Sequence, residues 1–597
     1  MSVPSVLPHS IGVISRNPYI NMATFIQQPP LDMNQVFEHR LIPTFYLDSG
    51  CPTPAAYKAS INDPDTMTYD QAMADREHVD EWRKAMVIEI SALESLGSWD
   101  EVDISDAKSR IIPGTWVFKV KRTPDGEIKK RKARFCCRGD LQEDDFLTFA
   151  PVVSWTSVRF FLVLTTVLSW TTCSIDFSSA FLQAVLPSPI WVHLPRGFRS
   201  SRAGKTCLRL NKSQYGLTVA PRLWYQHLIS ALKDMGFTQS TQDQCLLYKK
   251  EMLIIIYVDD VGVAAPSSAL IDEFVQELKN RGFELTREGS FSEFLGIKFE
   301  EDTEAGTITL TQKGLIKKVI AAAGLQQCNP NRVPAAAAAL GIDPDGEPYN
   351  ETWSYPSIIG MLLYLATNTR PDISFAVSQV ARFNHSPKQS HAKAVKMILR
   401  YLHGTADKGM IVRPSGNLEL VDWCDSDFCG LFRRDPDSSP SSVKSRGGFL
   451  LTLSDVPLVW KSQLHSEITL STMEAEYSTF SMSLRTLIPL RDLLIEVSTA
   501  IGVDPTLRAT IHARAFQDNR AAWQLATEQR LTNRTKYFLV KYHWFWSFVH
   551  RSSEDDADEK RFLKVETCST HDMRADILTK GLLGEKFEAG RKLNQGW

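Results

Sequence analysis

From Met252 to Val258 the chain is almost unbroken apolar, Asp259-Asp260 interrupts it, and Val261 to Ala265 resumes it. Two β runs around a polar pair predict a hairpin with both carboxylates at its tip. The rest of the pattern falls into blocks. Residues 1–65 are Pro-rich and show no sustained period, so a poorly ordered tail is expected. Tyr69 to Leu96 has helical spacing, with Trp82, Met86, Ile90 and Leu93 on one face and Gly97 as its stop. Thr115 to Gly139 reads as two strands around Pro124-Asp125-Gly126. Residues 157–170 predict a buried helix, and Thr172 to Asp176 a strand followed by a helix start. Residues 222–236 predict an amphipathic helix that Gly236 ends. Leu270 to Gly282 and Leu315 to Ala323 predict helices, with two strands turning at Gly306 between them. Ala335 to Pro348 is low-complexity and reads as a linker. Residues 353–410 look helical. From Leu418 on, the order is strand, hairpin (Gly448–Leu453 and Val456–Trp460), helix (Ser471 through Leu494), strand (Thr510–Phe516) and helix (from Met573).

Size and composition narrow the class. A chain of 597 residues holds about three or four domains of ~150 residues. Its 43% apolar and 23% charged residues exclude a disordered or fibrous chain. The ten Cys form no C-x-x-C pair, which argues against a zinc ribbon and suits a reducing compartment. No signal peptide is visible, and the strongest apolar run, Phe160 to Trp170, is too short for a membrane span. An intracellular protein is expected, in cytoplasm or nucleus, with no membrane partner. A net charge of −2 gives no global attraction for nucleic acid. Basic charge is concentrated locally. Between Lys119 and Arg138, nine basic residues face Asp125 and Glu127 alone, a local net charge of +7. Alternation puts Lys119 and Lys121 on one face, and Lys132 and Arg134 likewise. Such a hairpin suits phosphates, although a charged edge strand that resists aggregation has the same look.

The acidic pair carries the chemistry. Adjacent buried carboxylates repel and resist ionising together, and a divalent cation offsets that directly. Two such ions, about 4 Å apart, clamp the attacking and leaving oxygens of an in-line phosphoryl displacement. An Asp-Asp surface turn is the plainer reading, but the flanking runs are too apolar for an open turn. Asp176, at a strand end, is an N-cap in its ordinary reading and a third carboxylate if it faces Asp259.

These motifs occur in a specific order: Asp176-Phe-Ser-Ser-Ala-Phe181-Leu, then Tyr215-Gly-Leu-Thr-Val-Ala-Pro-Arg-Leu-Trp-Tyr225, then Tyr257-Val-Asp-Asp260. Phe294-Leu-Gly-Ile, Gln312 and Arg370-Pro-Asp-Ile follow. The ordered set resembles the reverse transcriptase of copia-type LTR retrotransposons, from near Trp82 almost to the end. The resemblance implies an α+β fold: a right hand of fingers, palm and thumb, a helical connection and an α/β ribonuclease H-like domain. Residues 66–334 would be the hand, 335–415 the linker and connection, and 416–597 the ribonuclease H-like domain. It implies Asp176, Asp259 and Asp260 as palm carboxylates, with Asp176 and Asp259 as direct ligands. Phe181 falls where the family places a steric gate under the sugar, and Tyr215 where a side chain meets the incoming nucleotide. Lys119, Lys121 and Arg134 are the triphosphate candidates, and spacing alone does not choose among them.

The second half carries its own acids: Asp425 and Asp427 at a strand end, Glu474 and Glu476 at a helix start, Asp518 after a strand, and Asp576. The same resemblance implies Asp425, Glu476, Asp518 and Asp576 as a ribonuclease H metal set, two Mg²⁺ per active site, Mn²⁺ being an alternative. Three departures from the family weaken that reading: Met473 before the acidic pair, Tyr537 where a His is usual, and the acidic stretch 554–559. The partners implied are an RNA template, a DNA primer, an RNA–DNA hybrid and dNTPs, with capsid and integrase as further retroelement proteins. No protease, zinc-knuckle or integrase motif is present, so the chain reads as the C-terminal half of such a polyprotein. The competing readings are a silent or co-opted remnant that binds nucleic acid without turnover, and a structural protein reusing the fold.

Overall fold

The computed structural model describes residues 65–122, 127–142, 147–198, 200, 202, 204–529, 542–550 and 561–597. The Pro-rich tail up to residue 64, the turn at 124–126, Tyr537 and the acidic stretch 554–559 lie outside the described residues. The protein is mixed α+β, and among the described residues its strands form five sheets.

A six-stranded antiparallel sheet sits at the centre of the first half. Its order is Leu285–Arg287, Thr171–Phe177, Asp260–Ala265, Met252–Tyr257, Leu246–Lys249 and Thr238–Gln239. Helices cover both faces. Leu253 and Ile255 point into a core shared with the helix Trp155–Val167. Met252, Ile254 and Ile256 point into a second core with Ala220–Asp234 and Ser268–Asn280. A strand buried on both faces needs apolar side chains at every position, which explains the unbroken run. Each such side chain contributes about 1.5–3 kcal/mol by leaving water.

The basic hairpin pairs Gly114–Arg122 with Ile128–Cys137, with Thr66–Met67 along its outer edge. Trp116, Phe118, Val120, Ala133, Phe135 and Cys137 are buried on one face, in a core with Trp82 and Leu93. Lys119, Lys121, Lys132 and Arg134 occupy the other face, as the alternation predicts. The expected helix over Tyr69–Leu96 is two helices, Tyr69–Ala74 and Val79–Ser95. The break has a local cause. The Asp75 carboxylate accepts from the His78 backbone N–H at 3.3 Å and from Trp82 Nε1 at 3.2 Å, offering the backbone an alternative to the helix.

Three helices, Tyr355–Asn368, Ser374–Ala381 and Gln389–Gly404, follow the irregular stretch after Ala335. Arg370, between the first two, is completely buried. It donates to Asp372 through Nε at 3.0 Å and Nη2 at 2.8 Å. Tyr401 and Gln595 also donate to Asp372, at 2.5 and 3.1 Å, and the Arg370 guanidinium lies 5.3 Å from the Trp597 ring. The Arg-Pro-Asp motif thus anchors the last helix, Gly584–Gln595.

In the second half Leu420–Asp427 is the central strand of five. Arg446–Leu453 and Val456–Leu464 extend the sheet antiparallel on one side, and Ala513–Gln517 and Leu563–Thr567 extend it parallel on the other. The last of these strands was not among the sequence expectations. Ser454 and Asp455 turn the hairpin with φ of 54° and 67°, the mirror-image turn that matches strand twist. The helix Thr472–Ala500 packs across the sheet. One apolar core joins this sheet to the first: it includes Phe161 and Leu253 as well as Leu451 and Leu487. Arg159 crosses the seam. Its Nε donates to the Leu458 carbonyl at 2.6 Å, Nη1 donates to Thr367 and Asn368, and its guanidinium stacks 4.3 Å from the Trp460 ring. Among the described residues no helix is long and apolar enough to cross a membrane.

Candidate active sites

The hairpin of the sequence expectation is present. Tyr257 pairs with Asp260, so Val258 and Asp259 form a two-residue turn. Val258 takes φ of 56°, a conformation that a β-branched residue adopts only under constraint. Trp224 Nε1 supplies the constraint by donating to the Val258 carbonyl at 2.6 Å. That explains the Trp in the second motif, whose role the sequence did not reveal.

Across the sheet, Asp260 pairs directly with Asp176, so both carboxylates rise from one face beside Asp259. The Asp260 carboxyl is pushed up to about 7, first by desolvation, then by the charges of Asp259 and Asp176, with Lys121 opposing. Its surface stays open to solvent. Lys121 is half-buried, and its ammonium is held below the usual lysine range by desolvation, Arg134 and Lys119, while Asp259 and Asp260 oppose that shift. The basic hairpin therefore reaches the acidic turn.

Phe181, Tyr215 and Arg134 meet nearby. The Phe181 and Tyr215 rings pack edge-on with centroids 5.3 Å apart, and the Arg134 guanidinium lies 5.0 Å from the Tyr215 ring. Arg134 Nε is buried with no hydrogen-bond partner among the described residues. Tyr215 is held by its backbone: its carbonyl accepts from Cys137 N–H at 2.7 Å, and the next carbonyl, that of Gly216, accepts from Gly139 N–H at 3.2 Å. Gly216 has φ of 90°, and a Cβ there would collide with the Cys137 carbonyl. Only glycine lets the loop lie this close to the hairpin. Lys119 lies on the same hairpin face and is exposed.

In the second half, Asp425, Glu476 and Asp518 each offer an oxygen, all within 4.8 Å of one another. Among the described residues they are the one group of three acids this tight; Asp176, Asp259 and Asp260 are more spread. Asp425 is 1% exposed, on the central strand, and Glu476 is 6% exposed. Glu476 is pushed well up, first by burial, then by the charges of Asp425 and Asp518. Its Oε2 has no hydrogen-bond partner among the described residues. A buried, unpartnered carboxylate oxygen facing two other carboxylates fits a hard divalent cation.

Glu474 has a different task. Ser471 accepts from Glu474 N–H at 3.1 Å, and Glu474 Oε2 accepts from Leu470 N–H at 2.7 Å, so it caps the helix that presents Glu476. Asn519 likewise caps the helix after Asp518, accepting from Ala521 and Ala522. Asp427, two residues along the strand from Asp425, pairs with Arg446 in register and stays outside the trio. Asp576 also stands outside it, joined to Asp425 both directly and through a shared cation. Lys580 Nζ lies 2.9 Å from Asp576 Oδ1 and 3.2 Å from Asp425 Oδ2. Burial works against the Lys580 charge, but the two carboxylates more than offset it and raise the group. Asp576 is pushed up to about 6 by burial and Asp425. Thr579 also donates to Asp425. Lys580 and Thr579 were missed as site residues; Lys580, one helical turn after Asp576, was the available signal. Gly448 pairs with Asp425, and a Cβ there would stand 2.7 Å from Thr579 Cγ2, so glycine lets this helix close on the sheet.

Residues 97–337, which hold the first site, match the family model described as reverse transcriptase (RNA-dependent DNA polymerase). The chain is 30% identical to the retrovirus-related Pol polyprotein from transposon RE2 of Arabidopsis thaliana, over 87% of its own length and 34% of the relative's. It is also 30% identical to that from transposon TNT 1-94 of Nicotiana tabacum, over 85% and 37%. A putative transposon Ty5-1 protein of Saccharomyces cerevisiae is 30% identical over 51% of this chain and 98% of its own length. The chain belongs to the copia-type retrotransposon Pol family and carries its reverse transcriptase region. It spans about a third of the length of the plant polyproteins it matches. A foamy viral protease-reverse transcriptase in complex with double-stranded DNA aligns with a TM-score of 0.46 and 14% identity, over 82% of this chain and 70% of that one.

Proposed function

We propose that the protein is an RNA-directed DNA polymerase with ribonuclease H activity, built as fingers, palm and thumb (66–334), helical connection (335–415) and nuclease (416–597). The observation that carries the polymerase reading is the in-register pair Asp260–Asp176 beside Asp259, within reach of Lys121. Asp176, Asp259 and Asp260 would hold Mg²⁺. Lys121 and Arg134 meet the triphosphate; Lys119, exposed on the same face, meets it or the template strand. Tyr215 positions the nucleotide, and Phe181 stands under its sugar, where a ring clashes with a 2′-hydroxyl. Bound metal supplies charge stabilisation for the attacking and leaving oxygens. The protein's own contribution is placement of primer end and nucleotide on rigid strands. RNA template and DNA primer are held as a duplex of partly A-form shape, through backbone contacts.

In the second site Asp425, Glu476 and Asp518 would hold metal, with Asp576 completing the set, and the bound metal would activate water against the RNA strand of a hybrid. The unpartnered Glu476 oxygen supports this reading. The test is primer extension on poly(rA)·oligo(dT) with dNTPs and Mg²⁺ or Mn²⁺, beside an Asp259→Ala control. Extension by the wild type alone is expected. Duplex binding by both without extension by either would overturn catalysis and leave a nucleic-acid-binding remnant.

A further inference from the structure

We infer that Lys580 is a resident cation of the nuclease site, standing where the second divalent ion must bind and leaving when that ion loads. The inference deepens the nuclease reading above and rests on it.

The acids divide unequally. Asp425, Glu476 and Asp518 already form a compact trio with a spare buried oxygen, so one ion finds its ligands assembled. The other side of Asp425 is taken. Lys580 Nζ lies 3.2 Å from Asp425 Oδ2, 3.3 Å from Asp425 Oδ1 and 2.9 Å from Asp576 Oδ1, and Thr579 donates to Asp425 as well. Asp576 is the one acid of the proposed set outside the trio, and an ammonium links it to Asp425, so an ion drawing on Asp576 would meet that ammonium. Two cations sharing these carboxylates would repel strongly at such range. Loading the second ion therefore requires the ammonium to move.

The side chain has somewhere to go. Lys580 is 36% exposed, whereas the Asp425 side chain is 2% exposed. Its four-carbon stem can swing the charge into water without moving the helix. Held in place, the ammonium keeps Asp425 and Asp576 paired while no second ion is present. Such an arrangement keeps the empty acids from repelling one another and makes full metal loading depend on the second ion's concentration.

The test counts bound Mn²⁺ by electron paramagnetic resonance on the full chain. A parent carrying Asp259→Asn and Asp260→Asn removes the polymerase ions from the count. Lys580→Met is compared with that parent, with Lys580→Gln as a second variant should Met fold poorly. The parent is expected to bind one ion tightly and a second weakly. Removing the ammonium should tighten the second ion about tenfold or more, because a cation competing for the same carboxylates is lost. The Tm gain from saturating Mg²⁺ should also be larger in Lys580→Met than in the parent. Equal or weaker binding of the second ion in both Lys580 variants overturns the inference, because Lys580 would then be holding the acids in place rather than competing. Failure of the nuclease reading looks different: adding Asp425→Asn and Glu476→Gln to the parent would leave the count of bound ions unchanged.

Discussion

Asp260 and Asp176 face each other across adjacent antiparallel strands, one on each side of the pairing that ends at the acidic turn. The pair is set by register, so its geometry does not depend on a loop. Replacing either with Asn keeps the shape and removes a charge proposed to hold metal. Primer extension should fall by roughly 10³-fold or more in Asp176→Asn, with duplex affinity nearly unchanged. Gel-shift and extension assays on the same preparation check both halves; a parallel loss of duplex binding would mean that the substitution disrupts the fold.

Phe181 packs edge-on against Tyr215 beside the acidic turn. If Phe181 gates the sugar as proposed, replacing it with Ala should open that space. The preference for deoxynucleotides over ribonucleotides, read as a ratio of kcat/KM values, should drop roughly 10–100-fold. An unchanged ratio would make Phe181 a packing residue only.

Gly216 is where the loop bearing Tyr215 meets the basic hairpin. Gly216→Ala must strain a φ of 90° and push against the Cys137 carbonyl. A loss of about 1–3 kcal/mol in unfolding free energy is expected, together with a raised KM for dNTP. Denaturant unfolding and steady-state kinetics read the two effects.

Much of this was legible in the sequence. The unbroken run at Met252–Tyr257 announced a buried strand of a hairpin, and the alternation in the basic hairpin announced which cations share a face. Other features were not legible, because they depend on partners far along the chain. Trp224 reads as an amphipathic helix residue until its indole is found on the Val258 carbonyl. Asp75 breaks a helix whose periodicity runs straight through it. The strand Leu563–Thr567 is short, and only pairing with Ala513–Gln517 makes it one. Glu474 and Glu476 are alike by residue type and only the resemblance chose Glu476; that Glu474 caps the helix shows only in the fold.

Asp422 is fully buried in the sheet that carries Asp425, where Ser483 donates to Oδ2 at 2.5 Å and Oδ1 has no partner among the described residues. Burial pushes its carboxyl up to about 7, with the Ser483 bond opposing. The folded state thus holds this proton more tightly than the unfolded chain. Its contribution to stability is fullest below about pH 4 and is lost as pH rises toward 7, by roughly 4 kcal/mol at most. Asp422→Asn abolishes that loss. The Tm of the variant relative to wild type should therefore improve between pH 5 and pH 8; a constant difference would contradict the raised carboxyl.

Arg370 ties the turn between the helices Tyr355–Asn368 and Ser374–Ala381 to the last helix through Asp372, Tyr401 and Gln595. Arg370→Ala leaves Asp372 buried without its cation, which should cost about 3–5 kcal/mol. Arg370→Lys keeps the charge but not the two-pronged fit, and should fall between Ala and wild type. Urea unfolding of the three proteins orders them.

The buried Arg159 bond to Leu458, with the apolar core around it, fixes the sheet that carries the first acidic site against the sheet that carries the second. Such a seam works as a ruler. A hybrid lying in both proposed sites would be cut a set number of base pairs behind its growing end, and that number would be a property of the protein rather than of the sequence being copied. Substitutions at the seam would then change the cutting register while leaving both sets of carboxylates intact.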